Sequence, residues 1–197
     1  MMSFSTIRRT LARYGRSGAD GAAHDAGREL FDRFVLPHVP AAYNLARWLV
    51  KDSDDAEDQV QEACVRAYRS IDRFHGADGR AWFLTIVRNQ CYTFLSRRGN
   101  VPSPLEIEAE VHASGDCAPE DLLIRQWDAR SLQSAIEALP AELREVILLR
   151  EVEELSYKEI AEIASLPVGT VMSRLSRARH RLRTAMQETG EGGNGLS

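Results

Sequence analysis

The stretch Leu155–Val171 constrains the fold of this chain more than any other. Ser156 and Glu159 have capping-box spacing, in which the hydroxyl accepts from the amide three residues on and the carboxylate reaches back to the first amide. That pair starts a short helix. Ala161 is small where two helices must cross closely. Ser165, Leu166 and Pro167 then make a turn, with Leu166 as the apolar plug. Pro167 offers no amide donor, so it stops the first helix. Ser165 stands where such a turn calls for a positive φ, which glycine adopts at least cost. A second helix begins near Val168. Its Val171, Leu175, Ala178 and Leu182 share one side and are expected to pack inward. Thr170, Ser173, Ser176, Arg177 and His180 lie on or near the other side, which is short, polar and cationic. Together these features describe a helix-turn-helix whose second helix suits a DNA major groove.

Charge supports that reading once it is taken region by region. The formal net charge of the 197-residue chain is −4, which by itself argues against nucleic acid. Yet Val168–Arg183 holds no acid and carries Arg174, Arg177, Arg179, Arg181 and Arg183, while Val101–Asp121 holds no Lys or Arg and carries Glu106, Glu108, Glu110, Asp116, Glu120 and Asp121. The low net charge is a cancellation between regions, and a local basic footprint remains for a phosphate backbone. Arg177 can make a bidentate contact to guanine. Arg174, Arg179, Arg181 and Arg183 are placed as phosphate clamps, which position without specifying.

Nearly every other periodic segment also reads as helix, so the expected class is all-α. Residues 1–26 read as a loose N-terminal segment. A helical stretch from Arg28 to Val50 is interrupted by Pro37 and Pro40. Asp54 and Glu57 suggest a capping box for a helix from Asp55 to Ile71, with Val60, Cys64, Ala67, Tyr68 and Ile71 at helical spacing. Phe74–Gly79 is a loop by composition. A helix from Arg80 to Arg98 follows, closed by Gly99, with Trp82, Phe83, Ile86 and Val87 expected in the core. Residues 100–118, with two prolines and several acids, read as a flexible acidic linker. Pro119 suits the first turn of a helix reaching Ala138. Another helix follows Pro140, with Leu143, Val146, Ile147 and Leu149 or Leu148 facing inward. The expected organisation is therefore two small helical domains, 27–99 and 119–187, and a disordered tail at 188–197.

Other functions find little support. Cys64, Cys91 and Cys117 are dispersed and odd in number, so reduced cytoplasmic thiols are expected rather than a zinc site or disulfide framework. The five histidines are scattered, and no catalytic constellation or Gly-rich phosphate loop is present. No enzyme activity, cofactor or metal is expected. No apolar stretch approaches the ~20 residues of a membrane span.

The motif Pro167–Leu175 resembles region 4 of sigma factors of the extracytoplasmic-function (ECF) type, in the sigma-70 family. Independently, Asp55–Ala63 resembles their region 2 core-binding helix, and Arg80–Asn89 resembles the helix after their promoter-melting loop. The resemblance implies an alternative sigma factor that binds core RNA polymerase and initiates transcription of a specific regulon. It implies that residues 27–99 dock on the β′ coiled coil through Asp55, Glu57, Asp58, Gln59, Gln61 and Glu62. It implies that Phe74, His75, Gly76, Asp78, Arg80, Arg88 and Asn89 engage the −10 element, where a flipped base must be held. It implies that residues 119–187 lie on the β flap and read the −35 element through Thr170, Met172, Ser173, Arg174, Ser176, Arg177, Arg179 and Arg181. An anti-sigma factor is a further implied partner. Met172 departs from the family pattern, standing where many relatives carry Lys or Arg.

Two other readings compete. A helix-turn-helix regulator acting without polymerase would bind duplex DNA alone, often as a dimer; the Asp55–Ala63 motif argues against it. A sigma-like mimic that binds only an anti-sigma factor would have a degraded arginine face, and this one is intact.

Overall fold

A computed structural model describes residues 21–76, 78–99 and 129–191. The expectations for residues 1–20, for the 100–118 linker and for Pro119 lie outside the described residues. Every regular element among the described residues is helical. The chain divides near residue 100 into two compact units.

The first unit opens with α1 (Gly21–Phe34), which starts before the Arg28 expected from sequence. Gly21 and Gly27 weaken the local signal, but packing overrides propensity: a Cβ at Gly27 would meet the Asp72 carboxylate and Ile71 at ordinary contact distance. Phe31 is buried and meets Tyr68 edge-on at 5.6 Å. The prolines act as expected. A 3-10 turn (Leu36–His38) holds Pro37, and α2 (Val39–Val50) begins with Pro40 in its first turn. At the end of α2, Lys51 adopts a left-handed φ of 66° and its amide donates to the Arg47 carbonyl at 3.0 Å.

The chain then enters α3 (Ser53–Ser70). Its cap is Asp52, not the expected Asp54. One Asp52 oxygen accepts from the amides of Asp54 and Asp55, both at 2.9 Å. A second 3-10 turn (Ile71–Arg73) leads to the loop and to α4 (Gly79–Arg97). Gly99, at a φ of 71°, follows the last turn as expected. Helices α2, α3 and α4 all pack on one another. Their core holds Leu45, Leu49, Val60, Cys64, Phe83, Leu84, Val87 and Cys91. Burial pushes the Cys64 thiol up to about 12, so it stays protonated and behaves as a small apolar residue.

The second unit contains α5 (Ala129–Ala138), α6 (Ala141–Glu151), α7 (Tyr157–Ala164) and α8 (Val168–Glu191). Helix α8 packs on α5 and α6. It runs to Glu191, past the expected boundary at 187. In α6 both Leu148 and Leu149 are buried, and so are Glu142, Arg144 and Glu145. Arg144 owes its burial to a capping role. Its guanidinium donates to the carbonyls of Ile136 and Glu137 at 3.1 Å and to that of Leu139. Ile136 also accepts from the Leu139 amide at 3.1 Å, so Arg144 chiefly satisfies Glu137 and Leu139 where α5 ends.

Candidate nucleic-acid interface

The helix-turn-helix forms as its residues dictate. The Ser156 amide donates to the Glu159 carboxylate at 2.7 Å, and the Glu159 amide donates to the Ser156 hydroxyl at 3.3 Å. Both halves of the capping box are made. At the other end of α7, Ser165 has a φ of 55°. Its amide donates to Glu162 at 3.2 Å, and the Leu166 amide donates to Ala161 at 2.9 Å. This is the paired bonding of a Schellman motif, with serine in the position glycine usually fills. Leu166 is only half-buried, less of a plug than its sequence position suggests. Val171, Leu175, Ala178 and Leu182 are all buried, as the spacing predicts.

The outward side of α8 carries Ser173 and His180, which are exposed, with Thr170, Arg174, Ser176, Arg177 and Arg181 half-buried beside them. Arg177 lies back along the helix, its Nε 3.3 Å from the Ser173 carbonyl and a terminal nitrogen 3.4 Å from the Ser173 hydroxyl. Both are long, weak contacts that a better acceptor can replace. Arg179 differs from the other arginines. Its guanidinium donates to the Glu151 carboxylate at 2.8 Å, with the two side chains 19% and 36% exposed. Burial works against its charge, but Glu151 and the Tyr157 hydroxyl hold its pKa above the ordinary value. Arg150, stacked 5.1 Å over the Tyr157 ring, donates to the Leu155 carbonyl at 2.9 Å. Arg179 therefore ties the middle of α8 to the end of α6. The sequence placed it with the phosphate clamps because the partner lies 28 residues away.

In the first unit the expected acidic face is mostly present. Asp58 and Glu62 are exposed, and Glu57 and Gln61 are half-buried. Asp54, not counted among the face residues from sequence, is also exposed. Asp54, Asp58 and Glu62 recur every fourth residue and so line up along α3, a spacing legible in the sequence. Asp55 is partly committed, pairing with Arg98 at 2.7 Å. Gln59 must be removed from the face. It is only 7% exposed, and its side-chain oxygen accepts from the Gln90 amide at 3.0 Å. A buried amide needs such a partner, and α4 supplies it.

The loop expected to meet the −10 element has an aromatic floor. Phe74 stacks on Trp82 with ring centroids 4.6 Å apart and meets Phe34 edge-on at 5.3 Å. Trp82 is half-buried rather than a core residue, and Ile86 is half-buried too. Asp78 is the α4 cap, accepting from the amides of Arg80 at 2.9 Å and Ala81 at 3.1 Å. Gly79 must be glycine, because a Cβ there would come within 2.5 Å of the Phe34 carbonyl. His75 and Gly76 are exposed, and the His75 Nδ1 lies 2.8 Å from the Arg73 carbonyl. Burial, with the Arg80 guanidinium, holds the nearby His38 imidazole below its ordinary value while Asp78 pulls the other way. Arg88 and Asn89 are not brought to this loop. They lie two turns beyond Arg80, about 12 Å along the helix axis, where Arg88 sits 4.5 Å over the Tyr92 ring.

Comparison with known proteins bears directly on these two surfaces. Residues 34–101 match the family described as Sigma-70 region 2, and residues 129–182 match Sigma-70, region 4. The RNA polymerase sigma-H factor of Pseudomonas aeruginosa is 34% identical over 169 residues, covering 81% of this chain and 88% of that protein. The ECF RNA polymerase sigma-E factor of Escherichia coli is 39% identical over 144 residues, covering 68% of this chain and 75% of that protein. The chain belongs to the sigma-70 family, in its ECF branch. It is an alternative sigma factor, which binds core RNA polymerase, recognises the −35 and −10 promoter elements and starts transcription of a specific set of genes. The fold agrees: the sigma factor RpoE, solved in complex with the anti-sigma factor NepR from Bartonella quintana, aligns with a TM-score of 0.61 at 31% identity. That alignment covers 80% of this sigma factor and 96% of RpoE. No helix among its described residues is long and apolar enough to cross a membrane.

Proposed function

We propose that this sigma factor divides promoter recognition between its two units at the following residues. Asp54, Asp58 and Glu62, with Glu57 and Gln61 beside them, meet the basic surface of the polymerase β′ coiled coil. Phe74, His75, Gly76 and Arg80 receive an unpaired base of the −10 element, with Trp82 as the floor. Thr170, Ser173, Arg174, Ser176, Arg177 and Arg181 enter the major groove of the −35 element while the second unit lies on the β flap. The observation that carries this reading is the coexistence of an exposed carboxylate row on α3 and an intact, correctly capped helix-turn-helix. A regulator acting without polymerase needs only the second.

The protein works in the cytoplasm, where core polymerase and promoters are found, and no catalytic role is assigned to it. An anti-sigma factor is proposed as a regulatory partner, on the strength of the RpoE–NepR complex. In vitro transcription with core polymerase on a promoter library tests the assignment. Asp58→Lys is expected to weaken polymerase binding and leave −35 DNA binding in place; unchanged transcription removes the docking role. Arg177→Ala is expected to cost about 1–3 kcal/mol at the cognate −35 sequence and to relax preference there. Equal loss on scrambled DNA makes Arg177 a phosphate contact.

A further inference from the structure

The recognition helix α8 is not symmetric about its outward side. Successive residues of an α-helix are offset by about 100°, so Arg174, Arg177 and Arg181 share one flank. Val168, Met172 and Arg179 share the other. Arg179 is turned back onto Glu151 at 2.8 Å. The first two turns of that second flank therefore present Val168, 39% exposed, and Met172, 53% exposed; the next cation on that side, Arg183, comes about 16 Å further along. Val168 and Met172 are two of the three large apolar side chains most exposed among the described residues, the third being Val152. Single exposed apolar residues need no explanation. Two of them one turn apart, at the end of a recognition helix that meets base edges, do.

We propose that Val168 and Met172 form an apolar reading edge for the 5-methyl group of a thymine in the −35 element. In the major groove thymine is the only natural base of unmodified DNA that presents a methyl group, and apolar side chains read it by contact. Methionine suits the task because its thioether is unbranched, polarisable and able to adapt to the groove. The surroundings favour DNA over a protein partner. Thr170, Ser173 and Arg174 lie on the same two turns, and Gly169 between the pair leaves open space in which no side chain would bar a close approach. The cationic flank meets backbone and guanine while the apolar flank meets the methyl, which fixes the orientation of the helix in the groove.

The proposal rests on the reading of α8 as the −35 helix. Its test uses the full chain with core polymerase, on the −35 element selected from a randomised library. Each thymine of that element is replaced in turn by deoxyuridine, which removes only the methyl. At one position the wild-type protein is expected to lose about four-fold in affinity, the worth of one buried methyl. Met172→Ala is expected to weaken binding to the thymine template by a similar factor and to bind the two templates equally. Met172 is exposed, so this variant is expected to keep the wild-type melting temperature. A wild type indifferent to uracil at every position overturns the proposal, as does a Met172→Ala variant that still discriminates. Arg177→Ala separates that failure from failure of the underlying reading. If it weakens binding while uracil has no effect, only the methyl contact falls. If neither change matters, α8 is not the −35 helix.

Discussion

In the region 2 unit the exposed carboxylate row stands on α3, whose first turn is held by one aspartate, Asp52. In the region 4 unit the polar and cationic outward side chains stand on α8, whose start follows a serine held at positive φ and whose middle is pinned by an ion pair. The first surface is a row of like charges on a helix fixed by its neighbours α2 and α4. The second needs a set angle between two helices, and several polar contacts serve to hold it. On the proposed assignment the first meets a broad basic partner, whereas the second reaches base edges, which carry the sequence information. The difference in construction matches that proposed division of roles.

That contrast can be broken at Arg144, where the largest effect is expected. Arg144→Ala removes the donor to the part-buried Glu137 carbonyl and the buried Leu139 carbonyl, while Ile136 keeps the Leu139 amide, and is expected to cost about 2–3 kcal/mol. Urea unfolding followed by −35 binding and by polymerase binding checks it. Loss of both in parallel would show that the two units do not unfold separately. A smaller effect, about 1 kcal/mol, is expected for Ser165→Gly, this time stabilising, because glycine adopts the left-handed region without the Cβ penalty. A lower melting temperature for this variant would mean that the serine side chain contributes more than its backbone costs.

Arg179→Ala is expected to cost about 0.5 kcal/mol of stability, since the ion pair is partly exposed. It should leave the salt dependence of DNA binding unchanged. Loss of about one unit of that slope would return Arg179 to the phosphate clamps. The smallest change concerns Asp52. The amides of Asp55 and Asp54 hold its carboxyl below the usual aspartate range. A depressed folded value means that its contribution is present above the unfolded pKa and fades as pH falls through the folded one. Asp52→Asn keeps the cap and is expected to remove that acid-side dependence from a series of thermal melts. A variant with an unchanged acid limb would assign the dependence elsewhere.

Local spacing made much of this protein legible in its sequence. The capping box at Ser156, the turn at Ser165 and the buried stripe of Val171, Leu175, Ala178 and Leu182 depend on residues within a few positions of one another. So do the interruption at Pro37 and Pro40 and the loop before Gly79. At the start of α3 the Asp54–Glu57 spacing points to Asp54 as the cap, whereas the Asp52 carboxylate accepts the first amides. What only the tertiary structure decided is which polar side chains face inward to a partner: Gln59 against Gln90, Arg179 against Glu151 and Arg144 against the carbonyls ending α5. A polar residue at helical spacing reads as surface until its partner is known. For Gln59 and Arg179 that partner lies 31 and 28 residues away, beyond the reach of any periodicity.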